Sequence, residues 1–392
     1  MKREILKEHR IFYLEELKRV LDFWLKNGFD QVNHGFYTSL DKQGRVFNQD
    51  KSVWAQGRVV YIFSQAYLKI DRCEEWKNVA IKTYDFMKRH CFDKDGKMYF
   101  SVTDKGEGIQ KRRYWFSEAF FVMAAVSMYE ISKEKKYLED ARTTYDFIVN
   151  RYKFPELNSP KYNPLVVNLR DLSSTMIFLS LAQYMNCVDI EYSSRYALDV
   201  SVARNNILKL HYHKEKKALF EFVNLDGSLN KGPKGRLINP GHALECAWFL
   251  LEGEYDQDTY LKAKDIAFWS YDLGLDKSNG GLKYFVDVEG LPLEQLEHDM
   301  KLWWVHCEGL IVFLKLYLLE ESDATFKIYQ EIFDYTINNF IVDDYEWLGY
   351  LHYDNTIASS LKGNMFKGPF HIPRMLMMNY LVIDKYLKEI DE

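Results

Sequence analysis

Histidine, arginine and carboxylate side chains open five otherwise apolar stretches of this 392-residue chain. The stretches are Lys51-Ser-Val-Trp-Ala-Gln-Gly-Arg58, Arg113-Tyr-Trp-Phe-Ser-Glu118, Asn239-Pro-Gly-His-Ala-Leu-Glu245, Lys301-Leu-Trp-Trp-Val-His-Cys-Glu308 and Lys367-Gly-Pro-Phe-His-Ile-Pro-Arg374. An ionisable group in an apolar element is costly unless it is paired or used. Imidazole, with an ordinary pKa of about 6.5, gives or takes a proton near neutrality. Guanidinium stays charged and suits a developing oxyanion. His242 and His371 sit beside Pro-Gly and Gly-Pro turns and are read as functional, as is Arg58, which has few acids near it in sequence. Glu245 fits a first-turn helix acid as well as a site residue. His306 and Arg374 stand open between structural and functional roles. Trp54, Trp115, Trp303 and Trp304 suit either a core or a surface that stacks on sugar faces. The His211-Tyr-His213 pair has metal-ligand spacing, yet its Lys-rich surroundings read as solvated surface. His9, His34, His90, His298 and His352 are read as structural.

Something must bring these five starts together. Aromatic alternation ending in an acid and a Gly or Asn recurs at 35–44, 98–106, 219–227, 283–290 and 349–355. Each copy reads as a short β-hairpin. The turn acids Asp41, Asp104, Asp226, Glu289 and Asp354 are 63, 122, 63 and 65 residues apart. The 122-residue gap holds two periods, so a sixth copy is expected near 155–164. Between hairpins the periodicity is helical. Trp76, Ala80, Tyr84 and Met87 share one face of an amphipathic helix, whereas 114–131 and 302–318 are apolar nearly all round. Twelve helices follow, near 5–27, 52–71, 76–90, 112–131, 134–151, 170–188, 195–213, 238–252, 258–273, 300–319, 324–340 and 368–388. Their alternation predicts six buried inner helices wrapped by six half-wet outer ones. That is an all-α (α/α)6 barrel with short β-hairpins at one end, forming a single domain over 1–392. Open α-solenoids repeat at about 34–47 residues, so the longer period favours closure. The five starts then converge at one mouth, with His242, His371, Arg58, Glu308, Glu245 and Glu118 inside an aromatic wall.

Composition narrows the classes. There are 52 Lys and Arg against 57 Asp and Glu, a net charge of −5, which argues against a dedicated nucleic-acid binder. No uncharged apolar run approaches the length of a membrane span. The opening Met1-Lys-Arg-Glu-Ile-Leu-Lys-Glu-His-Arg10 has no apolar signal core. Five scattered cysteines without CxxC argue against a disulfide framework or a cysteine-based zinc site, and a cytoplasmic setting is expected. P-loop, GxGxxG, HExxH, GxSxG and EF-hand motifs are missing.

Four of the five stretches, taken in order, resemble the N-acylglucosamine 2-epimerase family. The matching segments are Trp-Ala-Gln-Gly-Arg at 54–58, Asn-Pro-Gly-His-Ala-Leu-Glu at 239–245, Lys-Leu-Trp-Trp-Val-His-Cys-Glu at 301–308 and Lys-Gly-Pro-Phe-His-Ile-Pro-Arg at 367–374. Cellobiose 2-epimerases and aldose–ketose isomerases look more distant, tending to have Ala where this chain has Gly57. The inner helix near 170–187 matches least well. The resemblance implies an (α/α)6 barrel, a homodimer, and interconversion of N-acetylglucosamine with N-acetylmannosamine. It implies His242 and His371 as the catalytic pair, and Arg58 and Glu308 as substrate-binding or assisting residues. Glu245, Tyr114, Trp303 and Arg374 complete the expected sugar contacts, with no metal ligand. No cofactor is required for this chemistry. Stimulation by ATP is also implied, although no segment of the chain places such a site.

Inverting C2 of a sugar requires ring opening, removal of the proton alpha to the aldehyde, and its return on the opposite face. Two facing acid/base groups are the simplest design. Each is worth roughly 10²–10⁴-fold. The alternatives on such a barrel are an aldose–ketose isomerase of the mannose, glucose or fructose type, a cellobiose 2-epimerase, or a glycoside hydrolase or lyase. A hydrolase needs two opposed carboxylates, for which Glu118, Glu245 and Glu308 are available, but it leaves the histidines unexplained. A non-enzymatic helical scaffold would bind no small sugar.

Overall fold

The computed structural model describes residues 2–158, 163, 167–343 and 345–391. Twelve long helices dominate the described residues. They are α1 (Lys2–Asn27), α2 (Val53–Lys69), α3 (Glu74–His90), α4 (Phe116–Ser132), α5 (Lys135–Lys153), α6 (Leu172–Val188), α7 (Ser193–Asn206), α9 (Pro240–Leu250), α10 (Gln257–Gly274), α11 (Trp303–Glu320), α12 (Asp323–Phe340) and α13 (His371–Asp391), with a four-residue α8 (Pro233–Arg236) before α9. The inner ring runs α2, α4, α6, α9, α11 and α13, each packed on the next, and α13 returns to α2. The outer partners α3, α5, α7, α10, α12 and α1 pack on those inner helices in the same order. This is the expected (α/α)6 barrel.

Burial follows the sequence pattern. In α11 the buried positions run almost without a break from Trp303 to Leu314, whereas α3 buries one stripe of Trp76, Val79, Ala80, Thr83, Tyr84, Phe86 and Met87. One apolar cluster extends around the ring from Leu6 to Leu387. No helix of the described residues is long and apolar enough to cross a membrane.

Short strands stitch the units at the end where the inner helices begin. Lys51–Ser52 pairs with Ser101–Val102, and Lys301–Leu302 pairs with Tyr350–Leu351. Leu40 bridges Gly363 and so links the first unit to the last. Hairpins form as expected at Ser39–Leu40 with Val46–Asn48, Ser101–Val102 with Gly108–Gln110, and Tyr350–Leu351 with Ile357–Ser359. Two expected hairpins are instead turns. Phe222–Asn224 pairs with Leu169–Asp171, and Val286–Asp287 with Leu237–Ile238. Near 155–164 the chain starts with a single 3-10 turn, Pro155–Leu157, and half of the expected sixth copy lies outside the described residues.

The lysines that open three of the motifs are wholly buried and tie loops together. The Lys51 ammonium donates to Asp30 Oδ2 at 2.8 Å and to the His34 and Asp104 carbonyls at 2.7 Å each. Four periods later Lys301 donates to Asp276 Oδ2 at 2.6 Å and to the Tyr353 carbonyl. Lys367 donates to the Lys362 carbonyl at 2.7 Å. Each is a tethered cation in a polar loop, with its charge satisfied as burial demands.

Helix starts are set by caps. Asp171 accepts from Ser174 N–H at 2.8 Å, and Asn239 accepts from His242 N–H at 3.2 Å. Gly57 allows α2 to approach α4: a Cβ there would overlap the Phe120 carbonyl. Gly57→Ala should force the helices apart and displace the neighbouring Arg58, lowering stability by about 1–3 kcal/mol. Denaturant unfolding alongside a kcat/KM measurement checks this.

Candidate active site

The inner helices enclose a cavity of about 550 Å³. His242, Glu245, His371, Arg374, Arg58 and Trp303 line it, together with Trp54 and Trp304. The structure thus brings six of the eight expected residues to one cavity. Glu308, the seventh, lies just behind and is fully buried. The eighth, Tyr114, is a correction. Helix α4 begins at Phe116, so Tyr114 stays in the preceding loop, its ring 4.6 Å from Phe116 and 5.9 Å from Trp54 between centroids, outside the lining.

Glu118 is a second correction. The inward face of α4 carries Phe116, Ala119, Phe120 and Met123, so Glu118 points away and accepts from Met98 N–H at 2.9 Å. His306 is structural. Its Nδ1–H donates to the Leu302 carbonyl at 2.8 Å, its Nε2 accepts from Leu282 N–H at 2.9 Å, and burial pushes it down to about 4. His211, expected on a solvated surface, is buried, with Nδ1 2.8 Å from the Phe220 carbonyl. A π-turn, Ile207–His211, winds it inward after α7.

The two cavity histidines are held differently. Trp304 lies against both rings, with centroids 5.3 Å from His242 and 5.6 Å from His371. His242 Nδ1 donates to both Glu221 carboxylate oxygens, at 3.0 and 3.1 Å. Burial alone would lower its pKa, but the charge and hydrogen bond of Glu221, helped by Glu245 and Asp171, raise it above the ordinary value. His371 Nδ1 donates to Glu308 Oε1 at 2.8 Å. Burial, then the positive charge of Arg374, holds this imidazole well below its ordinary pKa. One imidazole is therefore biased towards the cation and the other towards the neutral base, each with Nδ1 engaged and Nε2 left for a ligand. Divergent pKa values within one pocket are a mark of acid/base pairs.

Arg374 anchors the floor. Its Nη2 donates to Glu245 Oε1 and Glu308 Oε1, both at 2.6 Å, and Trp248 Nε1 donates to Glu308 Oε2 at 2.8 Å. Donor atoms of Glu245, Glu308 and His371 lie within 4.8 Å of one another, close enough to hold a cation. The guanidinium already bridges both carboxylates and stands 3.3 Å from His371 Nδ1, occupying that place.

Arg58 is held by rings rather than acids. Its guanidinium carbon lies 4.2 Å from the Phe120 ring centre and 4.6 Å from that of Phe370, and its Nε is buried without a hydrogen-bond partner. Burial lowers its pKa to about 9, so it remains cationic at neutrality. A cation with unspent donors in the same cavity as the two imidazoles suits an anionic oxygen.

Sequence reasoning missed Glu221, Trp248, Tyr284 and Glu297. The signal for Glu221 was an acid inside the apolar run Leu219-Phe-Glu-Phe-Val; its partner could not be read from it.

Comparison with known proteins gives a consistent picture. A sequence model of the N-acylglucosamine 2-epimerase (GlcNAc 2-epimerase) family matches residues 35–370. The chain is 34% identical over 386 residues to N-acylglucosamine 2-epimerase of Bos taurus, covering 96% of this chain and 91% of that protein. It is 32% identical over 389 residues to the Mus musculus protein of the same name, covering 96% and 92%. Among solved structures, cellobiose 2-epimerase from Spirochaeta thermophila superposes with a TM-score of 0.83 at 19% identity, covering 100% of this chain and 99% of that one.

Proposed function

Because the chain belongs to the N-acylglucosamine 2-epimerase family, we propose that it interconverts N-acetylglucosamine and N-acetylmannosamine by proton transfer at C2 between His371 and His242. The single observation that supports this most is the pair of imidazoles on α9 and α13, flanking Trp304 and biased to opposite protonation states.

The pyranose opens to the free aldehyde. Neutral His371 Nε2 takes the C2 proton from one face, and the electron pair moves into the C1–C2 bond and onto the carbonyl oxygen. Arg58 holds that oxyanion. The His242 imidazolium returns a proton to C2 on the other face, and the carbonyl reforms. The reverse reaction starts with the protonation states exchanged. Glu308 and Arg374 keep His371 oriented, and Glu221 keeps His242 charged. ATP stimulation would act on the rate from elsewhere, and assays with and without nucleotide test it. A homodimer, checked by sedimentation, and a cytoplasmic setting complete the reading; the free state of all five cysteines suits a reducing compartment.

Turnover in D2O is the test. The epimer should carry one deuterium at C2. Retention of the original hydrogen would sink the mechanism, and a ketose labelled at C1 would indicate an aldose–ketose isomerase.

Glu221→Gln should remove the charge that keeps His242 protonated. The alkaline limb of the kcat pH profile should then move to lower pH, with kcat at neutrality down about tenfold, the effect of about one pKa unit.

A further inference from the structure

We propose that His211 is a positioning residue for the acid His242: its Nδ1–H fixes the backbone that carries Glu221, and so holds the Glu221 carboxylate against the His242 ring. The kinetic consequence rests on the epimerase reading above. The placement of Glu221 is a property of the free protein and is tested there as well.

The two cavity imidazoles have unequal support. Behind His371, other side chains clamp the Glu308 carboxylate, Arg374 on one oxygen and Trp248 on the other. Behind His242, both oxygens of Glu221 meet the single Nδ1–H of His242. Among the described residues no other hydrogen bond reaches that buried carboxylate. Its aim therefore depends on the backbone beneath it.

That backbone is held from two sides. Leu172 N–H, at the start of α6, donates to the Glu221 carbonyl at 2.9 Å. On the other side stands Phe220, which exchanges two hydrogen bonds with His211. Phe220 N–H donates to the His211 carbonyl at 2.9 Å, and His211 Nδ1–H donates to the Phe220 carbonyl at 2.8 Å. The second bond lies on the peptide that joins Phe220 to Glu221. It sets the plane of that peptide, and with it the direction in which the Glu221 side chain leaves the chain.

The local fold explains why a side chain does this. Tyr212–His213 pairs with Ala218–Leu219, so His211 and Phe220 are the next pair along the same hairpin. In a regular antiparallel pair the backbone N–H of His211 would serve the Phe220 carbonyl. Here His211 closes the π-turn Ile207–His211, a winding that is rare and is found often at functional sites. Its imidazole takes the place of the backbone donor. The ring is wholly buried, and its Nε2 has no partner. An unmet buried acceptor is destabilising, and leucine would avoid it. What leucine lacks is the Nδ1–H. Burial, with Arg170, outweighs the Phe220 carbonyl, Asp171 and Glu221 and holds the His211 pKa below its ordinary value. The ring is thus neutral at neutral pH, with its one N–H on Phe220.

The experiment compares the wild type with His211→Asn, His211→Leu, His211→Gln and Glu221→Gln. Asparagine keeps an N–H at the place of Nδ1, leucine removes it, and glutamine carries its donor at the place of Nε2. Histidine NMR titration of the free protein reads the positioning directly, with the His242 signal assigned by its loss in His242→Asn. The His242 pKa should fall by about half a unit or more in His211→Leu and His211→Gln, towards its value in Glu221→Gln, and stay in place in His211→Asn. In the first two variants the alkaline limb of kcat should move to lower pH, with kcat at neutrality down about three- to tenfold. In His211→Asn kcat should stay within about twofold of wild type. Either the leucine or the glutamine variant suffices if the other does not fold; failure of both to fold would make His211 a structural residue and overturn the assignment. An unmoved His242 pKa and alkaline limb would overturn it too, whatever the loss of melting temperature. So would an equal shift in His211→Asn, since the ring would then be needed for its shape. If Glu221→Gln itself moves neither quantity, the role of His242 in the epimerase reading falls; if it moves them and His211→Leu does not, only this inference falls.

Discussion

His371→Asn should lower kcat by roughly 10²–10⁴-fold while leaving the fold intact, because asparagine keeps a hydrogen-bond partner for Glu308 and removes the base. Its diagnostic value lies in what survives. With only His242 left, one face of C2 keeps an acid/base group. The variant should still exchange the C2 hydrogen of one epimer with solvent, returning that epimer unchanged in configuration. His242→Asn should do the same for the other epimer. Proton NMR in D2O reads both exchanges separately from epimerisation. Loss of exchange for both epimers in both variants would mean that the imidazoles do not work as an opposed pair.

Arg374→Leu should be the most destabilising single change at the site, at about 3–5 kcal/mol. The guanidinium is buried and holds Glu245 and Glu308 through one nitrogen, so its removal leaves two carboxylates facing each other beside His371. Adding Glu245→Gln should recover part of the loss, since one of the two uncompensated charges disappears. Denaturant unfolding of the wild type, single and double variants measures this coupling. Activity should change in a definite direction as well. Arg374 helps hold the His371 pKa down, so without it the pKa rises. The base must be neutral to act, and the acid limb of kcat/KM should therefore move to higher pH. The same depression has a stability consequence in the wild type. A histidine with a lowered folded pKa stabilises the fold above its unfolded value of about 6.5, and this contribution fades as pH falls below that value towards the folded pKa.

Much of the molecule is legible in its sequence. Periodicity separates half-wet helices such as α3 from all-round apolar ones such as α11, because the first bury one face and the second almost every face. The recurring turn acids mark the units, and the ordered Trp-Ala-Gln-Gly-Arg, Pro-Gly-His and Phe-His-Ile-Pro-Arg segments mark the arc that carries Arg58, His242 and His371. These are local properties, written within a few residues of one another.

What remained required the ring to close. Tyr114 and Glu118 share a motif with site residues, yet they miss the cavity because the start and phase of α4 turn Phe116, Ala119, Phe120 and Met123 inward instead. Glu221 lies 21 positions from His242, and Glu308 lies 63 from His371, so no spacing rule links them. Arg374 joins Glu245 across 129 positions. Sequence alone determined which residues could titrate; packing decided which of them do so out of step, because a pKa depends on burial and on charges that arrive from distant parts of the chain.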